Sequence, residues 1–112
     1  MDWNKIKIQM RKWILEYIIL LILVKKEVYW WDILKFLKIN KLDVIEGTLY
    51  PLLNRLVKDN FIEFSLVESD IWPKRKYYKI TNSWIENLEL MKNTFSELKN
   101  IIEKLSTNNK LW

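Results

Sequence analysis

One stretch, residues 43–59, limits what this chain can fold into more than any other. Leu49, Leu52, Leu53 and Leu56 recur at helical spacing, so they share one side of a helix and that side has to be buried. The opposite side carries Thr48, Tyr50, Pro51, Asn54, Arg55 and Lys58, a set of hydrogen-bonding groups, one aromatic ring and two cations that a core does not need. Asp43 stands where a residue would cap such a helix, and Glu46, three positions on, completes a capping box. Pro51 lies inside the pattern, withholds a hydrogen bond from the carbonyl of Gly47 and predicts a bend. A helix buried along one side and polar along the other suits a DNA major groove. An ordinary solvated surface helix has the same pattern, and the residues that follow decide between the two.

Composition narrows the chemistry. The 112 residues are enough for one domain, and with half of them apolar a real core is expected. There is no cysteine and no histidine, which removes thiol nucleophiles, disulfides, the usual zinc sites and the commonest general base. A single glycine leaves little room for a phosphate-cradling loop, and no paired-carboxylate motif or nucleophile elbow is present. The chain is therefore not expected to be an enzyme, and no cofactor or metal is implied. Net charge is +5, and it is unevenly spread. Basic residues lead acidic ones nine to five over residues 1–45 and six to five over 46–81, but stand at four each over 82–112. A basic body suits a polyanion, and a balanced last third suits contact with protein.

Read in order, the first eight residues lack the apolar centre and cleavage site of a signal peptide, so a cytoplasmic protein is expected. Residues 9–24 are nearly all apolar, but the uninterrupted run from Tyr17 to Val24 is far short of the roughly 20 residues a membrane span needs. Glu16, Arg11 and Lys12 lie in or beside it. The better reading is a helix buried on almost all sides, by its own domain and by a second subunit. Lys25-Lys26-Glu27 is a polar break, and residues 29–38 form a short helix with Ile33, Leu34 and Leu37 inward. Two helices then precede the two-faced one, the order of a helix-turn-helix.

Asn60 tolerates the left-handed backbone that closes a helix, so the two-faced helix ends at Asp59-Asn60. Phe61–Glu68 and Arg75–Thr81 are rich in aromatic and branched residues, as strands are, and Ser69–Lys74 is a turn. Two strands joined by a basic turn make a wing. Thr81 or Asn82 caps a last helix, in which Trp84, Leu88, Met91, Phe95, Leu98, Ile102 and Leu105 alternate at spacings of four and three. That is a heptad seam, widened by Ile85 and Ile101, and it predicts packing between subunits. The tail from Ser106 to Trp112 is polar, with fraying expected everywhere but at Trp112. The fold class is mainly α with a two-stranded β-wing, residues 1–81 forming a winged helix-turn-helix and residues 82–112 a dimerisation helix, together one compact unit.

Glu46-Gly-Thr-Leu-Tyr-Pro-Leu-Leu53 followed by Arg55-Leu56, with Arg75-Lys-Tyr-Tyr-Lys-Ile-Thr81 after the turn, resembles the PadR-like transcriptional regulators. With Tyr29 and Asp32-Ile33 the resemblance covers nearly the whole chain, and the single last helix looks like the small branch of that family. It implies a bacterial winged helix-turn-helix homodimer that represses transcription from a pseudo-palindromic operator, often in response to aromatic ligands. Trp30 and Trp31, Asn60, Ile71-Trp72-Pro73 and Trp84 stand where the family usually has glycine. Fold and DNA binding survive those differences; the identity of a ligand does not carry over.

The expected contacts with double-stranded DNA are Thr48, Tyr50, Asn54, Arg55 and Lys58 from the helix and Lys74, Arg75 and Lys76 from the wing. Arg55 and Lys58 are expected on phosphates, Asn54, Thr48 and Tyr50 nearer base edges or sugar. Tyr77 and Tyr78 face opposite ways on a strand, one to the core and one to a phosphate, and Tyr78 is counted with the contact set. In the small branch the first and last helices enclose a ligand, so the resemblance makes Trp13, Tyr17, Met91 and Phe95 candidates for a cavity holding a planar aromatic molecule. The same four could instead pack the dimer core, leaving a ligand-independent repressor. A winged helix that binds protein, and a protein lying on a membrane surface through its apolar first helix, are the other readings. Steep loss of DNA affinity with salt would separate both from the first.

Overall fold

The apolar stretch near the N-terminus forms α1 (Trp3–Leu23) in the computed structural model, which describes residues 2–42, 44–67 and 74–107. Asp2 caps it, its carboxylate accepting from the backbone N–H of Asn4 at 3.0 Å. Leu15, Ile19, Leu20 and Leu23 are buried, whereas Trp3, Ile8, Met10, Trp13 and Ile14 are exposed. Burial on almost all sides is thus not what one chain achieves: the second half of α1 is in the core on one side, and the first half stands out from it.

A two-residue strand, β1 (Val28–Tyr29), leads into α2 (Trp30–Ile39). Asp32 accepts the backbone N–H of Tyr29 at 3.2 Å and so ties down the start of that helix. Ile33 and Leu37 are buried and Leu34 half-buried, as their spacing predicts. Next comes α3 (Glu46–Lys58), with Leu49, Leu53 and Leu56 buried and Leu52 half-buried. The capping box is not formed as expected. Ile45 occupies the cap position without a side-chain bond, and the N–H groups of Thr48 and Leu49 reach its carbonyl at 3.0 and 3.1 Å. Asp43 lies outside the described residues, and Glu46 is the first helical residue, where its charge favours the positive end of the helix. The helix runs unbroken through Pro51.

Both helices of this pair close the same way without glycine. Lys41 (φ 62°) and Asn60 (φ 63°) are left-handed. At the first, the N–H groups of Lys41 and Leu42 bond the carbonyls of Lys38 and Leu37; at the second, those of Asn60 and Phe61 bond Val57 and Leu56. Each is a Schellman closure, and each turns the chain sharply back on its helix.

The wing strands are β2 (Ile62–Val67) and β3 (Arg75–Ile80), antiparallel from Ile62↔Ile80 to Val67↔Arg75. β1 pairs with the free side of β3, Val28 with Tyr78 and Tyr29 with Tyr77, so among the described residues the two-stranded wing is extended to a three-stranded sheet in the order β1-β3-β2. Two residues carry no readable alternation, which is why β1 has no sequence signature. Of the expected turn, Ser69 to Pro73 lie outside the described residues. Finally α4 (Asn82–Thr107) runs for 26 residues, roughly 39 Å at 1.5 Å per residue. Thr81 precedes it, but its hydroxyl donates to the carbonyls of Asn60 and Phe61 at 2.8 and 3.2 Å, tying α4 to the end of α3. Ser106 and Thr107 remain helical where fraying was expected, and Trp112 lies outside the described residues. The core gathers Ile19, Leu20, Ile33, Leu37, Leu49, Leu53, Leu56, Ile62 and Tyr78 beneath the sheet and between α1, α2 and α3.

Candidate nucleic-acid interface

The side of α3 away from the leucines presents Thr48, Pro51, Asn54 and Lys58, all exposed. Its two flanks are tied to the body. On one flank the Tyr50 ring lies 5.3 Å from that of Trp30 on α2, and burial, then the neighbouring Tyr29 and Glu46, pushes its phenol above the ordinary value. On the other flank the Arg55 guanidinium pairs with the carboxylate of Glu16 on α1. Glu16 is buried while Arg55 is 42% exposed, so one edge of the arginine is held and the rest faces outward. Arg55 is therefore not the free cation its exposed helical position suggests. A lone acid in an apolar run was the sequence signal for this pair, since a buried carboxylate needs a cation.

The wing is similarly divided. Arg75 lies over the Tyr29 ring at 5.0 Å and Lys76 over the Phe64 ring at 4.5 Å, both half-buried cations held by aromatic faces. Lys79 pairs with Glu63 at 3.4 Å. Lys74, just before β3, is exposed. Tyr78, counted with the DNA contacts on sequence, is 1% exposed and belongs to the core; burial and the nearby Tyr50 raise its phenol pKa. Tyr77 is the outward member of that pair, 5.9 Å from Tyr29. Rings of Tyr77, Tyr29, Trp30 and Tyr50 thus run from β3 through β1 and α2 to α3. Tyr29, Trp30 and Tyr77 enter this set only through β1, which sequence periodicity does not reveal.

A two-faced helix with a polar side thus shares the chain with a wing carrying Lys74, Arg75 and Lys76. The model of the "Transcriptional regulator PadR-like family" matches residues 19–89. The chain belongs to the PadR-like family. It is 42% identical to a PadR-like transcription factor from Bacteroides fragilis, over 90% of this chain and 98% of that one, with a TM-score of 0.78. To a PadR-like transcriptional regulator from Bacillus cereus it is 38% identical, over 90% of this chain and 99% of that one, with a TM-score of 0.79. A PadR family regulator from Eggerthella lenta, 23% identical, shares the fold with a TM-score of 0.82 over 95% of this chain and 93% of that one. No curated protein matches the chain. As a PadR-like regulator it is a DNA-binding protein of transcription and not an enzyme.

In this PadR-like chain the heptad seam of α4 is split. Leu88 is buried and Trp84 and Met91 are half-buried against the chain's own domain, the Trp84 ring lying tilted against that of Phe61 at 3.5 Å between centroids. Phe95, Leu98, Ile102 and Leu105 are exposed, with Ile101 beside them. Trp84 and Leu88 thus pack largely on the chain's own domain, while the later seam positions do not. Between α1 and α4 lies an open, almost wholly apolar hollow of about 890 Å³. Trp13, Tyr17, Met91 and Phe95 all line it, and the Tyr17 and Phe95 rings stand 5.5 Å apart. Among the described residues no helix is long and apolar enough to cross a membrane.

Proposed function

We propose that the protein is a cytoplasmic homodimeric repressor that binds a pseudo-palindromic operator and is released when a planar aromatic molecule occupies the hollow between α1 and α4. Residues 1–81 supply the winged helix-turn-helix and residues 82–112 the dimerisation helix. The observation that carries this reading is the exposed apolar part of α4, from Phe95 to Ile102, lying beside Trp13, Ile14 and Tyr17 of α1 around one hollow. Water-facing apolar surface of that extent calls for cover, and a second copy brings the same surface to a twofold axis. The hollow is within the size range of small-molecule sites, and its rings can stack a flat ligand at little entropic cost. On the DNA side, Thr48, Asn54 and Lys58 approach the groove directly. Arg55 contributes from its held position, and Tyr50 supports the helix and reaches the sugar–phosphate edge. Lys74, Arg75 and Lys76 flank the minor groove.

Footprinting the protein on the DNA upstream of its own gene, followed by gel-shift titration of the protected duplex at several salt concentrations, tests this. Two symmetric protected half-sites and a steep fall of affinity with salt are expected. A panel of planar dyes and phenolic acids should include one that weakens binding about tenfold, which requires about 1.4 kcal/mol of coupling. Protection of a single half-site at all concentrations would remove the dimeric reading. A panel that neither quenches tryptophan fluorescence nor shifts the gel would leave a ligand-independent repressor.

A further inference from the structure

Glu16 is the one buried charged side chain among the described residues, 6% exposed, and it sits in the middle of the helix that lines the hollow. Trp13, Ile14 and Tyr17, which line the hollow, are within three residues of it and so within about 5 Å along α1. The Glu16 carboxylate points the other way, to Arg55 on the recognition helix α3. A buried carboxylate does not tolerate loss of its cation. α1 therefore cannot turn or slide without dragging Arg55 along, and Arg55 stands beside Asn54 and one turn before Lys58 on α3. On the far side, the Tyr17 ring rests against Phe95 of α4. One line of contacts runs from α4, past the hollow, through α1 to the helix that meets DNA.

We infer that the Glu16–Arg55 pair is the link through which occupancy of the hollow is felt by the recognition helix. The inference rests on the proposed reading of the hollow as a ligand cavity. An occupant that turns α1 moves Glu16, and α3 follows because separating the pair strands a buried charge. Glu16 is thus a positioning residue for DNA binding, although it touches neither DNA nor ligand. The link works in both directions: DNA that sets the pose of Arg55 alters the affinity of the hollow by the same factor.

The chain has no cysteine, so a single one can be labelled cleanly. Thr94 lines the hollow, and Thr94→Cys carrying N-(1-pyrenyl)maleimide places a planar group there whatever the natural ligand is. With Glu16 intact, the labelled full-length protein should bind the footprinted duplex about tenfold more weakly than the unlabelled one, with pyrene shielded from iodide. With Glu16→Gln added, that ratio should fall below about twofold while pyrene stays equally shielded. The shielding distinguishes lost transmission from a cavity that has come apart. A tenfold ratio retained in Glu16→Gln would overturn the link and leave the cavity reading intact. Pyrene open to iodide with Glu16 intact, or shielded without effect on DNA affinity, would overturn both. If Glu16→Gln does not fold, Glu16→Leu takes its place, filling the buried position with an apolar side chain and removing the charge that ties α1 to Arg55. The same collapse of the ratio is expected there, and a retained tenfold ratio overturns the link.

Discussion

Arg55→Ala removes the partner of the Glu16 carboxylate and leaves a charge inside the protein. The loss is expected at about 3 kcal/mol, toward the low end of the penalty for breaking a buried pair because Arg55 is part-exposed and water can reach its side. Urea titration followed by circular dichroism at fixed protomer concentration should show the midpoint fall, and an unchanged midpoint would mean that Glu16 finds another partner. Tyr78 is the opposite case. Its hydroxyl is buried with no hydrogen-bond partner among the described residues, so Tyr78→Phe should leave stability within about 1 kcal/mol of the parent or raise it. DNA affinity should not change, whereas a phosphate contact would be lost. The same burial gives a pH signature. The folded-state pKa of Tyr78 is raised above 10.0, so the folded form favours the neutral phenol. Its contribution is complete below the unfolded value and is lost as pH rises through the folded one. Stability should therefore decline above about pH 10 and decline less steeply in Tyr78→Phe.

The elements are held at their ends as much as along their faces. The Schellman closure at Asn60 sets the angle at which β2 leaves the recognition helix, and Asn60→Ala should cost about 1 kcal/mol because alanine lacks asparagine's ease in the left-handed region. α4 is an element with two duties. Its first part packs on the domain through Trp84 and Leu88, and its second part keeps Leu98, Ile102 and Leu105 in solvent within one chain. Leu98→Glu places a charge in the centre of that surface, and sedimentation should then show a monomer with unchanged helical content. A mutant that remains dimeric would put the subunit contact elsewhere.

At the scale of the molecule, α3 brings only two cations of its own, Arg55 and Lys58. Lys58 is exposed on the polar side of α3, whereas Arg55, Arg75 and Lys76 are engaged with a carboxylate or a ring. Lys58→Ala should weaken binding to all duplexes alike and lower the slope of log affinity against log salt by about one. An unchanged slope would place Lys58 away from phosphates. Held cations lose less freedom on binding than free ones, so under the proposed function Arg55, Arg75 and Lys76 are set in place before DNA arrives.

Local chemistry made most of the scaffold legible in advance. The leucine spacing of residues 49–56 fixed both the existence and the buried side of the recognition helix, because a 3.6-residue period leaves little choice of face. The aromatic and branched runs located the wing strands, and Asn60 marked a helix end through its own backbone preference. The Gly-Thr-Leu-Tyr-Pro run and the Arg-Lys-Tyr-Tyr run carried the family. Tertiary structure decided what depends on distant partners. β1 exists because β3 offers it hydrogen bonds, and two residues have no period of their own. Ile45 took the cap position ahead of Asp43, and the strand's pleat sent Tyr78 inward and Tyr77 outward. Arg55 found Glu16 thirty-nine residues earlier in the chain, a pairing that no spacing rule encodes. Periodicity reports which side of an element is apolar; only packing reports which charge that side leaves inside, and what must come to meet it.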